Sequence, residues 1–132
     1  MIIEIGDKKY KVQEARTEEE KMKGLQNIKE LDSEEGMLFI YDKPQSVDFW
    51  MKDTEIPLDI IFIDEDQEVI SVHRGEPMSE DLISEDNVKY VLEVNQGSGI
   101  TPGDELELDN EDEDDSVKMK VLALDGSTQM EL

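Results

Sequence analysis

Apolar residues recur along much of this chain with period two, the signature of half-buried extended strands. Met1 to Ile5 and Lys8 to Gln13 are two such runs separated by Gly6-Asp7, which predicts a hairpin with Tyr10 and Val12 sharing the inward face. The pattern then changes. Thr17-Glu18-Glu19-Glu20 is a capping box, in which the Thr17 hydroxyl takes an orphan backbone N–H and Glu20 reaches back. Three acids in the first turn suit the positive end of the helix dipole, and Met22 and Leu25 recur at helical spacing. One short helix is therefore predicted near residues 17–26.

From Gly36 the period of two returns. Gly36 to Tyr41, Val47 to Met51, Leu58 to Asp64, Glu68 to Arg74, Lys89 to Asn95 and Glu105 to Leu108 are rich in β-branched and aromatic residues and bounded by Pro, Gly, Asp or Asn. This spacing predicts a mainly β fold (α+β at most): a small antiparallel β-barrel or sandwich of about seven to nine strands. Asp64 to Gln67 reads as a tight connection between paired strands, and residues 75–88, polar and without a sustained period, as a loop with at most one helical turn. Residues 109–116 read as a solvated acidic linker, since six of the seven positions in DNEDEDD are acids. Val117 to Val121 alternates again and opens an additional C-terminal strand and tail over residues 117–132. The expected organisation is one β domain over residues 1–108 plus that appendage. The extra strand either returns to an edge of the same sheet, the favoured reading because sheets rarely leave edges bare, or adds to a partner's sheet through residues 117–124.

Charge narrows the partners. The 132 residues carry 36 acids against 13 basic residues, a net charge of −23, yet Leu, Ile, Val and Phe make up over a quarter of the chain, enough to fold. Without a Lys/Arg cluster there is no electrostatic footprint for phosphate backbones, so no nucleic acid partner is expected. No apolar stretch approaches a membrane span, and MIIEIGDKKY lacks a basic-then-apolar export signal, so the chain is expected to stay in the cytoplasm, or in a virion, with no membrane partner. With no cysteine and His73 as the one histidine, neither a transition-metal site nor a cysteine nucleophile is expected. No segment matches a calcium loop, a nucleophile elbow or a phosphate loop, so no metal or cofactor is assigned.

Two acids are out of place. In Leu58 to Ile63 both faces of the strand are apolar except for Asp59, and in Tyr90 to Val94 the exception is Glu93. A lone buried charge is costly, so each must be paired, near a strand end, or functional. Structural support of loop backbone comes first among the readings, ligand binding second, and acid–base catalysis by the pair third. Trp50, the sole tryptophan, lies opposite Val47, Phe49 and Met51, with Asp48 and Lys52 on its own side, and either walls a groove or covers the sheet from outside. Trp50, Lys52, Thr54, Asp59 and Glu93 form the candidate ligand-binding set; Asp59 and Glu93 are the candidate catalytic residues.

The order of motifs supports a resemblance. Gly24-Leu25, Gly36-Met37-Leu38-Phe39, the string WMKDTEIPLDIIFID from Trp50 to Asp64, Tyr90-Val91-Leu92-Glu93, Gly97 and Gly103-Asp104 resemble the family called domain of unknown function 192. The resemblance implies a compact, mostly β domain with one helix and supplies no activity. The sequence departs from the family where Gln26 replaces a usual methionine and no arginine follows closely, and where family members often carry an export signal.

Domains of this family also occur in phage genomes. Together with the appended strand, that leads to the first functional expectation: a non-enzymatic binding or assembly module, such as a small structural component of a phage virion, with a protein partner at the C-terminal strand. The alternatives are a small-ligand-binding domain with a pocket near Trp50, Asp59 and Glu93, and a carboxylate-dependent hydrolase acting on a sugar-like or amide substrate.

Overall fold

The computed structural model describes residues 1–109, the side chain of Asp109 excepted, and builds from them seven strands and one helix. The strands are β1 (Ile2–Ile5), β2 (Lys8–Ala15), β3 (Glu35–Phe49), β4 (Leu58–Ile63), β5 (Val69–Gly75), β6 (Ile83–Asn95) and β7 (Leu106–Asp109); α1 spans Glu18–Lys23. They form one sheet in the order β5-β4-β6-β3-β2-β1-β7. Its two outermost strands meet at one end: the Val69 N–H donates to the Asp104 carbonyl at 2.8 Å and the Leu106 N–H to the Gln67 carbonyl at 2.7 Å. The sheet therefore curls into the small, mainly β, barrel-like fold the strand count implied, which blunts the edges that would otherwise invite pairing.

Alternation along the strands separates two apolar layers. One draws on every strand, including Ile3, Val12, Leu38, Ile61, Leu92 and Leu106, and fills the inside of the curl. The other lies on the opposite face of the central strands, where Phe39, Phe49, Leu58, Ile60, Phe62 and Val91 pack with Leu25 and Met51. This second layer is covered by the chain between β2 and β3 and by the chain that follows β3.

Several local expectations change. All strand pairs are antiparallel except β2 with β3, which run parallel because residues 16–34, with α1, carry the chain back across the sheet. The run 36–41 and residues 47–49 are parts of one strand, β3, whose pairing with β6 shifts register between Ile40 and Val47, while Trp50 and Met51 follow its end. The predicted loop 75–88 is half strand: Ile83 pairs with Phe49, Ser84 with Asp48 and Glu85 with Val47. Its outward side chains are polar, and Ser84 donates to the Asp48 carboxylate, so there was no apolar alternation to see. Met22 and Leu25 do not share a buried face: Met22 is 77% exposed while Leu25 is buried. No helix among the described residues is long and apolar enough to cross a membrane. The acidic run beyond Asp109 and the strand expected at 117–121, with its partner role, lie outside the described residues.

Candidate functional site

The register between β4 and β6 decides how the two misplaced acids relate. Asp59 pairs with Val94 and Ile60 pairs with Glu93. Adjacent strand residues point to opposite faces, so Asp59 and Glu93 lie on opposite sides of the sheet. The expected pocket joining Trp50, Asp59 and Glu93, and with it the two-carboxylate hydrolase, does not form: Glu93 keeps Trp50, and Asp59 is elsewhere.

Asp59 holds a loop. Its Oδ2 accepts from the Ser98 N–H at 2.9 Å and from the Ser98 hydroxyl at 2.7 Å, and the Ser98 hydroxyl in turn accepts from the Ile100 N–H at 3.2 Å. These bonds tie residues 98–100 to the end of β4 and let a carboxylate sit buried. Burial raises the nearby Tyr10 hydroxyl above its ordinary value, and the Asp59 charge adds to the rise.

Glu93 has no such partners. It is 4% exposed, between Ile60 on β4 and Met37 on β3, and no described residue hydrogen-bonds its carboxyl group. Burial among apolar neighbours pushes it up to about 8. Burial thus favours its protonated form, which can donate one hydrogen bond and accept others. It lines a cavity of about 620 Å³ whose walls include Phe39, Tyr41, Phe49 and Trp50. Phe39 and Phe49 meet edge to face with ring centres 4.9 Å apart. Tyr41 is pushed up to about 12, by burial first and then by the charges of Glu18 and Glu93.

The mouth is made by α1 and by the chain just after β3. The capping box forms: the Glu20 N–H donates to the Thr17 hydroxyl at 3.1 Å and the Thr17 N–H to Glu20 Oε1 at 3.0 Å. It sets the helix so that Lys21 Nζ lies 4.0 Å from the centre of the Tyr41 ring. Across the mouth Lys52 Nζ lies 5.2 Å from the Trp50 ring. Trp50 is 41% exposed and Lys52 partly buried. Thr54 is buried at the same cavity with its hydroxyl donating to the Lys52 carbonyl, which fixes the turn carrying Lys52. Of the five candidate ligand-binding residues, Trp50, Lys52, Thr54 and Glu93 therefore line one cavity and Asp59 does not. Lys21, Phe39 and Tyr41 went unassigned. Lys21 lies on α1 and Phe39 and Tyr41 on β3, and only the fold brings the two elements to one cavity.

His73 stands in the same cross-strand row as Ile60 and Glu93, its ring edge-on to Phe62 at 5.4 Å and its Nε2 buried without a partner. Among the described residues no three His, Asp or Glu side chains converge as metal ligands would.

Residues 1–108 match the family model of domain of unknown function 192 (DUF192), described as Uncharacterized ACR. No curated protein matches the chain. Two solved structures are similar to it. One is a protein of unknown function from Novosphingobium aromaticivorans DSM 12444, 35% identical, with a TM-score of 0.78 over 81% of this chain and 84% of that one. The other, from Sinorhizobium meliloti 1021 and provisionally named a transcription regulator, is 35% identical, with a TM-score of 0.73 over 75% of this chain and 81% of that one. Neither description names a ligand, an assembly or a virion.

Proposed function

Because this chain belongs to the DUF192 family, whose description carries no activity, its function rests on its own site, and we propose a small-molecule-binding domain with its pocket over Glu93. The observation that carries the reading is Glu93, a residue only 4% exposed that lines a cavity of about 620 Å³ and whose carboxyl group has no hydrogen-bond partner among the described residues. A buried polar group normally finds a hydrogen-bond partner within the protein. A protein that keeps one aimed into an open cavity has a place for a ligand atom. The cavity volume lies within the range of roughly 300–1,000 Å³ typical of small-molecule sites, and its aromatic walls are joined by polar and charged groups at the floor and rim that could orient a ligand.

Trp50 reports on the site directly, because the chain has no other tryptophan. A fragment screen followed by Trp50 fluorescence should yield binders that shift its emission. Those shifts should vanish in Glu93→Leu, with the fold checked by circular dichroism. A screen that leaves Trp50 unmoved throughout, or binders indifferent to Glu93→Leu, would remove the proposal.

A further inference from the structure

The charges around this cavity are unusual for so acidic a protein. Three of the thirteen basic residues, Lys21, Lys23 and Lys52, line one opening in a chain of net charge −23. Resting on the pocket reading above, we infer that the cavity takes a small aromatic carboxylate. Its ring lies along Trp50 and Phe39, its carboxylate between Lys21 and Lys52, and a hydroxyl or carbonyl at its far end on Glu93.

Lys21 and Lys52 are the partly buried cations of the rim, and no carboxylate among the described residues forms an ion pair with either. Both stand against aromatic rings, which hold an ammonium group in place without neutralising it. The acids at the rim, Glu19, Asp48 and Asp53, are all exposed, and Asp48 already accepts from Ser84. Exposed charges are screened by water and salt, partly buried ones much less, so the lysines dominate the field at the opening. An entering cation meets two ammonium groups first, whereas an anion meets two partners.

The floor selects the other end of the ligand. From β4 and β3 the cross-strand neighbours of Glu93 are the uncharged Ile60 and Met37. The titratable groups around the cavity are Tyr41, the α1 side chains and the rim residues already named. No cation stands beside Glu93 from either strand neighbour, and burial favours its protonated form, which presents an O–H to an oxygen of the ligand. Two hydrogen-bonding ends separated by apolar walls fit a para-substituted ring better than an aliphatic chain, which would lose more rotational freedom on binding.

Calorimetry and Trp50 fluorescence at pH 7, with 4-hydroxybenzoate and benzamidine as probes, test this. The expected result is that 4-hydroxybenzoate binds and benzamidine does not. Lys21→Gln with Lys52→Gln should weaken 4-hydroxybenzoate at least tenfold in a protein with unchanged circular dichroism, and binding should weaken as pH rises past 8. Benzamidine binding in place of 4-hydroxybenzoate, or a double variant within twofold of the parent, overturns the inference. If neither probe binds while the fragment screen still gives Glu93-dependent hits, the ligand class is wrong and the pocket stands. If the screen is also silent, both fall.

Discussion

Replacing Glu93 by Gln should remove a pH dependence of stability that the native protein carries at an unusual place on the scale. Burial lifts this carboxyl from its ordinary 4.5 to about 8, so between those values the folded chain keeps a proton that the unfolded chain has lost. Stability must then fall as pH rises, with a slope approaching 1.4 kcal/mol per pH unit, and the contribution is fully present below pH 4.5 and lost as pH rises through about 8. Integrated, this group alone should take roughly 2–3 kcal/mol from the folded state between pH 5 and 7 and about 4 kcal/mol by pH 9. Glutamine has nearly the same shape and no charge to lose. Urea unfolding followed by Trp50 fluorescence at pH 5, 6, 7, 8 and 9 should show the parent losing stability relative to Glu93→Gln at every step. The comparison cancels the many surface carboxylates, which titrate alike in both proteins. Curves that stay parallel within about 0.5 kcal/mol over that range would mean that Glu93 is ionised in the fold, hydrated or paired, and the description of the cavity floor would be wrong.

Other substitutions probe the frame around the site. Thr17→Ala breaks the capping box and should cost about 1 kcal/mol in urea unfolding; because Lys21 rides on the same helix, it should also weaken the binding of any Trp50-responsive fragment. Asp59→Asn leaves the Ser98 N–H and hydroxyl without their charged acceptor and should cost about 1–3 kcal/mol, while fragment affinity at the opposite face stays within twofold of the parent. Gly36→Ala would place a Cβ 2.6 Å from the Glu93 carbonyl oxygen and 2.8 Å from Val94 Cγ1, forcing β3 from β6; a lower thermal midpoint, reflecting a loss of about 1–3 kcal/mol, is expected, and an unchanged one would contradict the strand packing.

Much of the fold was legible because its signals are local. The Gly6-Asp7 hairpin, the Thr17 capping box and the tight Asp64 to Gln67 connection each depend on a few consecutive residues, and all three form. The extension of β6 back to Ile83 was not legible, since Ser84, Glu85 and Asp86 are polar and their strand is held by pairing with β3. Asp59 and Glu93 were both visible as acids in apolar rows, and both are buried. Their roles looked alike in sequence and differ in the structure, one satisfied by Ser98 and the other facing a cavity.

The amino-acid sequence by itself determined which side chains share a face within each regular run of strand, because backbone pleating alternates faces there. It also determined the net charge and the helix start. Only the tertiary structure decided that Ile60, rather than Asp59, stands beside Glu93, and that α1 and the chain after β3 bring Lys21, Trp50 and Lys52 over that carboxyl. Strand register and sheet curvature come from packing between segments far apart in the chain. A residue's partners across a sheet are therefore absent from its local pattern.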